Sequence, residues 1–419
     1  MMIKNSKIPM KIIQVNCVYN TGSTGKIVYD IHTELKNRGI ESIVCYGRGQ
    51  KTTDEGVYKT CGELYSKFNN LCTRINGVMY GGCFFSTNRL ISMIKKEQPD
   101  IVHLHCINGY FVNIYRLVEF LKKNRIKTVL TLHAEFMHTA NCGYAFDCER
   151  FKIGCGNCPR LRKETKSLFF DHTHTSWNKM KQAFDGFDDL IVTSVSPWLM
   201  ERAKQSPILA DKRHFVVMNG LNTDIFHIYD TSALRKKHGI ADEKIIFHAT
   251  PFFTDDPEHI KGGCYVIELA KKMSSTKFIV AGDHLVNLSV PDNVILLGRI
   301  SDQKELAKYY SMADLTLLTS QRETFSMICA ESLCCGTPVV GFKAGGPEMI
   351  TIPEFSAFVH SGDVKALKSI VLRWLNIDIE KQLISREAAA WYSRKKMTTE
   401  YIGLYKEVLK RFDTTLRFT

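Results

Sequence analysis

Residues 314–342 read DLTLLTSQRETFSMICAESLCCGTPVVGF. Two short apolar runs, DLTLLTS and TPVVGF, flank a stretch from Ser326 to Cys335 that favours helix, with Gly336 as its stop and Pro338 just beyond. Strand, helix and strand in that order form the repeating unit of a parallel sheet, because parallel neighbours must be joined by a crossover. Inside this apolar unit lie two carboxylates, Glu323 just before the helix and Glu331 within it. Burying carboxylates is costly, so the pattern demands a partner for each.

Eight helical positions correspond to a rise of about 12 Å. Carboxylate pairs that hydrolyse glycosides stand roughly 5–9.5 Å apart, which disfavours a local acid/base pair. A metal site is disfavoured too, since no Asp, His or third Glu accompanies the two in this run. An elongated ligand lying along the helix start suits the spacing better. Backbone N–H groups of Thr324, Phe325, Ser326 and Met327 open the helix and can hold a phosphate. A carboxylate at each end can then accept hydroxyl hydrogen bonds. The structural alternative is that Glu323 caps the helix and Glu331 is an ordinary surface residue.

The same alternation runs through the chain. From Met10, KIIQVNCVYN reads as a strand, TGSTGK as the turn that opens the helix IVYDIHTELKNRG, and ESIVCYG, DIVHLH and KTVLTLH as further strands. It continues with DLIVTSVS and HFVVMNGLN, then restarts with KIIFHAT, KFIVAG and VILLG before the opening stretch. This predicts an α/β protein with parallel sheets covered on both faces, ligands binding at the carboxyl ends of strands near a switch in strand order. His105 and His133 fall at such ends, and TGSTG follows the first strand. A boundary between Ser206 and Asp224 divides the chain into two Rossmann-like halves, 1–210 and 211–395, facing each other across a cleft. Residues before Met10 are expected to be a short disordered extension.

Composition narrows the function classes. A chain of 419 residues, 44% hydrophobic and 24% charged, has the make-up of a soluble protein of two or three domains. Its apolar runs are strand-sized, far short of a membrane span, and the N-terminus has no apolar segment of a secretion signal. A cytoplasmic location with the 14 cysteines reduced follows as the expectation. The net charge of +13 favours acidic partners, whether nucleic acid, anionic lipid or phosphorylated substrates, with a generally solvated basic surface as the equal alternative. A nucleic-acid-binding zinc protein would need a compact basic stripe, whereas RLRKETK, KKNRIK, RKKH and SRKKM are scattered.

With Glu323 and Glu331, the following CGTPVVG and the later AGGPEMI, the sequence resembles retaining glycosyltransferases of the GT-B fold, family 4. VVMNGLNTDIFH, VTSVSPWLMERA and IKGG at Ile260–Gly263 extend the resemblance, in order, over nearly the whole chain. The resemblance implies a terminal helix, 396–419, that returns to the first domain. It also implies that Glu323 contacts donor-sugar hydroxyls, Glu331 the nucleotide ribose, and Lys261 the diphosphate. Gly22, Ser23, Thr24 and Gly25 would close over that diphosphate, and His133 would contact the donor sugar near the reacting carbon. The donor would be a UDP-, GDP- or dTDP-sugar, and no metal or other cofactor is expected for catalysis. Two positions depart from the family pattern. The usual phosphate-binding Arg before the Lys is missing, with only His248 and His259 nearby, and Ala134–Glu135 stands where an Asp follows the histidine.

A narrower resemblance comes from TLHAEFMHTANCGYAFDCERFKIGCGNCPRL, which is similar to the Cys-rich insertion of bacterial colanic-acid-type exopolysaccharide and O-antigen glycosyltransferases. It implies a polyprenyl-diphosphate-linked glycan acceptor at the inner, anionic face of the cell membrane, where the protein would be peripheral. In this insertion, near 138–160, Cys142, Cys148, Cys155 and Cys158 are candidate ligands of a structural zinc, against free thiols or a redox-labile disulfide. A nucleotide-sugar epimerase of the same fold is the alternative enzyme; it would isomerise the donor and need no acceptor.

Overall fold

The computed structural model describes residues 10–415; the extension expected before Met10 and the last four residues of the expected terminal helix lie outside them. The chain divides into two compact units, residues 1–217 with 397–419, and residues 218–396.

The first unit is built on seven strands: β1 (Lys11–Asn16), β2 (Glu41–Tyr46), β3 (Val57–Lys59), β4 (Ile101–Leu104), β5 (Thr128–Leu132), β6 (Leu190–Ser194) and β7 (Arg213–Val216). They form one sheet in the order β3-β2-β1-β4-β5-β6-β7. All neighbours are parallel, with Val15 opposite Leu104 in the central pair. The central strands are buried almost throughout because helices cover both faces, so the in-and-out burial of a half-exposed strand is absent. Strand order reverses between β1 and β4, and the loops after these strands share the carboxyl edge.

The second unit repeats the plan with β8 (Ile245–Phe253), β9 (Lys277–His284), β10 (Val294–Gly298), β11 (Leu315–Leu318), β12 (Val339–Phe342) and β13 (Ser356–Val359), ordered β10-β9-β8-β11-β12-β13. These too are parallel. Its core joins Ile246, Phe278, Leu315 and Val340 of the sheet to Val266 and Leu367 of covering helices. The strand-helix-strand read from 314–342 is β11, the helix Met327–Cys334, and β12. The switch point lies between β8 and β11.

The last helix, Arg394–Thr415, begins in the second unit and continues into the first. There Tyr401 and Tyr405 are buried, Arg38 donates to the Thr399 hydroxyl at 2.8 Å, and Arg213 pairs with Glu407 at 2.5 Å. Among the described residues no helix is long and apolar enough to cross a membrane.

Candidate functional site

In the second unit the candidate residues meet at the switch point. Lys261 lies in the loop after β8 and Glu323 in the loop after β11, and the Lys261 ammonium donates to Glu323 Oε1 at 2.5 Å. Both side chains are mostly enclosed, at 21% and 11% exposure, so this contact is better shielded than a surface ion pair. The backbone fixes the arrangement. Thr319 Oγ1 donates to the Lys261 carbonyl at 2.9 Å, and Gln321 N–H to the Ile260 carbonyl at 2.8 Å. Gly262 has φ of +64°, and a Cβ there would stand 2.3 Å from the Thr319 carbonyl oxygen, so only glycine lets the Lys261 loop approach β11 this closely.

A second support comes from AGGPEMI. Glu323 N–H donates to the Ala344 carbonyl and Gly346 N–H to the Glu323 carbonyl, at 3.0 and 2.9 Å. The Glu348 carboxylate accepts from Ala344 and Gly345 N–H at 3.0 Å, holding that loop from within. A Cβ on Gly346 would lie 2.3 Å from the Thr324 carbonyl oxygen. Sequence reading used AGGPEMI only as a resemblance; its physical task is to clamp the Glu323–Phe325 backbone.

Thr324, Phe325 and Ser326 lead into the helix that begins at Met327. Ser326 occupies φ of +81°, uncommon for a residue with a side chain, and its buried hydroxyl has no hydrogen-bond partner. Glu323 does not cap this helix, because its carboxylate is engaged by Lys261. Glu331 accepts from the hydroxyl of Tyr310, which is fully buried, at 3.0 Å, so it is oriented rather than loose on the surface. The capping alternative for Glu323 is thereby removed, and Glu331 is a half-buried residue tethered to Tyr310. Tyr310 lies on the helix Gln303–Met312, and nothing in the sequence pattern marks it as the partner.

The missing arginine is not replaced by His248. That imidazole is buried, its Nδ1 donates to the Leu317 carbonyl at 2.9 Å, and burial with the nearby Lys261 charge lowers its pKa to about 4. It is neutral near pH 7 and adds no positive charge beside Lys261.

In the first unit, the helix Gly22–Asn37 starts at Gly22, so Gly22, Ser23, Thr24 and Gly25 form its first turn rather than a loop ahead of it. Gly22 and Ser23 are exposed; Gly25 is buried, where a Cβ would press on Val18 at 3.1 Å. His133 follows β5 and is 8% exposed. Its Nε2 lies 3.2 Å from Nδ1 of His105, which follows β4. The His105 ring lies tilted against that of His103, 3.9 Å between centroids, and the His103 nitrogens reach Tyr405 at 2.6 Å and Thr131 at 2.7 Å. Since His105 Nε2 is buried without a partner, donation from His105 Nδ1–H to His133 Nε2 leaves no buried N–H orphaned. Burial lowers the pKa of His133 to about 4 and those of His103 and His105 well below the usual histidine range.

Glu135, the departure after His133, organises the cysteine insertion. It is fully buried, accepts from Arg202 Nε at 2.6 Å and from Ala145 N–H at 2.8 Å, and its own N–H donates to the Gly143 carbonyl. Burial raises its pKa, but His138 and the Arg202 guanidinium outweigh this and hold it below the usual carboxylate range. Arg202 also reaches Glu149 and lies over the rings of Phe151 and Trp198. Cys142, Cys148, Cys155 and Cys158 line one cavity of about 30 Å³ and are free thiols. Among the described residues no group of three or more His, Cys, Asp or Glu is arranged to hold a metal ion. Burial pushes the Cys155 thiol up to about 12 and raises those of Cys142 and Cys158. The loop is held by the buried carboxylate, by Phe151, and by Trp177 Nε1 donating to the Phe151 carbonyl at 2.8 Å. Glu135→Ala is expected to lower stability by roughly 3 kcal/mol, the low end for a broken buried pair because Arg202 keeps Glu149; calorimetry of the variant measures it.

Two doubly wound sheets, one carrying a lysine–glutamate pair beside a helix start at its switch point, have the architecture of a sugar-transferring enzyme of the GT-B type. The comparisons agree. Residues 24–225 match the model of Glycosyltransferase Family 4, and residues 230–395 that of Glycosyl transferases group 1. The chain belongs to the GT-B glycosyltransferases, family 4. It is similar to N-acetyl-alpha-D-glucosaminyl L-malate synthase of Bacillus anthracis, 24% identical over 77% of this chain and 78% of that one. It is also similar to the putative colanic acid biosynthesis glycosyl transferase WcaC of Escherichia coli K12, 20% identical over 95% of this chain and all of that one. Among solved structures, Anabaena HepE in complex with UDP superposes with a TM-score of 0.64 at 16% identity, over 95% of this chain and all of that one.

Proposed function

We propose that this glycosyltransferase moves a sugar, with retention of anomeric configuration and without a metal, from a nucleoside diphosphate sugar to a lipid-linked glycan of a bacterial surface polysaccharide. The Lys261–Glu323 pair carries the reading. A cation and a carboxylate held together at a helix start suit the two halves of such a donor: diphosphate to the lysine and first-turn amides, sugar hydroxyls to the glutamate. Glu331, oriented by Tyr310, is placed to accept from the ribose. In the first unit, His133 and the helix turn Gly22–Gly25 lie at the carboxyl ends of β5 and β1. The UDP complex of HepE supports the nucleotide-sugar donor class by similarity, and the colanic acid biosynthesis assignment of WcaC supports a polysaccharide product.

In the step proposed, the bond from the anomeric carbon to the leaving diphosphate breaks and the bond to the acceptor oxygen forms on the same face. The acceptor hydroxyl's proton passes to the departing phosphate oxygen. Lys261 and the amides stabilise the charge that develops there, which is electrostatic and positioning catalysis rather than side-chain acid/base work. UDP-, GDP- and dTDP-sugars incubated with a polyprenyl-diphosphate-linked acceptor test the reading. A new glycan with retained configuration is expected; an isomerised donor without transfer assigns the epimerase instead. Turnover is expected to survive brief EDTA treatment, and a rapid loss restored by magnesium or manganese contradicts the metal-free mechanism.

A further inference from the structure

The loop after β2 carries an arginine on a backbone that is fixed at both ends. Gly47 N–H donates to the Asn16 and Cys17 carbonyls, and Arg48 N–H donates to the Cys17 carbonyl at 2.7 Å. Cys17 N–H in turn donates to the Cys106 carbonyl at 2.8 Å. The loops after β2, β1 and β4 are thus stitched together along the carboxyl edge that also carries Gly22–Gly25 and His133. A Cβ on Gly47 would stand 2.1 Å from the Phe111 ring, so only glycine lets the loop pack directly on it. Further along, the Tyr46 hydroxyl donates to the Gln50 carbonyl at 2.8 Å and accepts from Thr52 N–H at 3.2 Å.

The side chain of Arg48 is held less fully than its backbone. It is 37% exposed, yet its Nε is buried without a hydrogen-bond partner, and the guanidinium makes no hydrogen bond among the described residues. The acid beside it is Glu63, at the start of the helix Glu63–Asn76, 3.6 Å from Arg48 Nε: an ion pair, but beyond hydrogen-bond reach. Glu63 Oε1 already accepts from Gly49 N–H at 2.7 Å and from the Lys59 ammonium at 3.1 Å. Two cations share one carboxylate, which leaves a local surplus of positive charge. A guanidinium carries five N–H donors in a planar fork, the geometry that pairs with a phosphate or carboxylate through two parallel hydrogen bonds. A buried Nε–H without a partner is a group such a ligand satisfies.

We infer that Arg48 binds an oxyanion of the second substrate, a phosphate or carboxylate carried by the acceptor, at the carboxyl edge of the first unit. The identity of the ligand rests on the glycosyltransferase reading above, in which the donor's diphosphate goes to Lys261 and the amides of the second unit. The stitched loops hold the arginine in place before the acceptor arrives, so little ordering cost is left for binding.

Calorimetric titration of the full chain needs no turnover, so the inference and the transfer reading can fail separately. Inorganic pyrophosphate and glucuronate are titrated into Lys261→Ala protein, which lacks the donor-site ammonium. Binding is expected, and adding Arg48→Ala is expected to weaken it roughly tenfold or more, the loss of charge-assisted hydrogen bonds. The probe that binds more tightly names the source: pyrophosphate a lipid diphosphate, glucuronate an acidic sugar. In transfer assays with Lys261 intact, Arg48→Ala is expected to raise the acceptor KM roughly tenfold or more and to leave the donor KM unchanged. Arg48→Lys keeps the charge without the fork and is expected to recover only part. If Arg48 merely balanced Glu63, Arg48→Ala/Glu63→Gln would regain full anion binding; the inference requires it to stay as weak as Arg48→Ala. Recovery in that double variant, titrations that Arg48→Ala leaves unchanged, or no binding of either probe overturns the inference. Thermal melts of each variant separate lost binding from lost folding.

Discussion

Lys261→Ala is expected to lower kcat/KM by about 10²–10³-fold, the range for removing one preorganised charge-stabilising donor. The ammonium stands 2.5 Å from Glu323, on a loop that only Gly262 allows so close to β11. A structural ion pair and a donor-binding pair predict different outcomes when both partners change. If the contact only holds the loops, Lys261→Ala/Glu323→Gln removes charge symmetrically and restores much of what either single variant loses. If each group acts on its own part of the donor, the double variant is at least as inactive as the worse single one, while its melting temperature stays near that of wild type. Initial-rate kinetics beside thermal melts read both arms. Activity within a few-fold of wild type in Lys261→Ala removes the lysine from the mechanism. The neutral His248 sharpens the expectation, because it cannot take over as the neighbouring cation near pH 7.

Acidification is expected to unfold the first unit ahead of the second. His32, His133 and, in the second unit, His248 have pKa values lowered to about 4, and His103 and His105 lie well below the usual range. These groups are neutral when folded and charge readily when unfolded. Their contribution is therefore fully present above about pH 6.5 and is lost as pH falls toward 4. Each can remove up to about 1.4 kcal/mol per pH unit across that window. Four of the five belong to the first unit, and the contact between His105 and His133 makes simultaneous protonation in the folded state unfavourable. The carboxylate of Glu135, held below its usual range, adds loss of the same sign at lower pH. Melts between pH 7 and pH 5 should show a falling first transition; a melting temperature flat over this range contradicts the account.

Much of the architecture was legible because burial leaves a period in the sequence. DLTLLTS and TPVVGF have apolar runs long enough to mark β11 and β12, and Gly336 and Pro338 mark the end of the helix between them. The edge strand β3, VYK, and the last strand β13, SAFV, were not legible, since they are short and only partly buried and so leave no sustained apolar run. The site was legible in part. Glu323, Glu331 and Lys261 were marked by spacing and resemblance, whereas Tyr310, His103 and Arg202 were not, because their partners lie far along the chain.

What the sequence by itself determined is the succession of strands and helices, the division into two α/β units, and the glutamates bracketing a helix start. These are local properties, set by hydrophobic period, helix stops and residue chemistry within a few turns. Only the tertiary structure decided which contacts close over distance: the pairing of Lys261 with Glu323, the histidine contacts running from β4 and β5 to the last helix, and the buried carboxylate of Glu135 that meets Arg202 beside the cysteine loop. It also decided which way the helix Glu63–Asn76 faces. A period of 3.6 fixes that Leu64, Phe68, Leu71 and Ile75 share one face, but not whether that face meets the core or the solvent. The surface offered by the neighbouring elements settles that, and here they take the polar side.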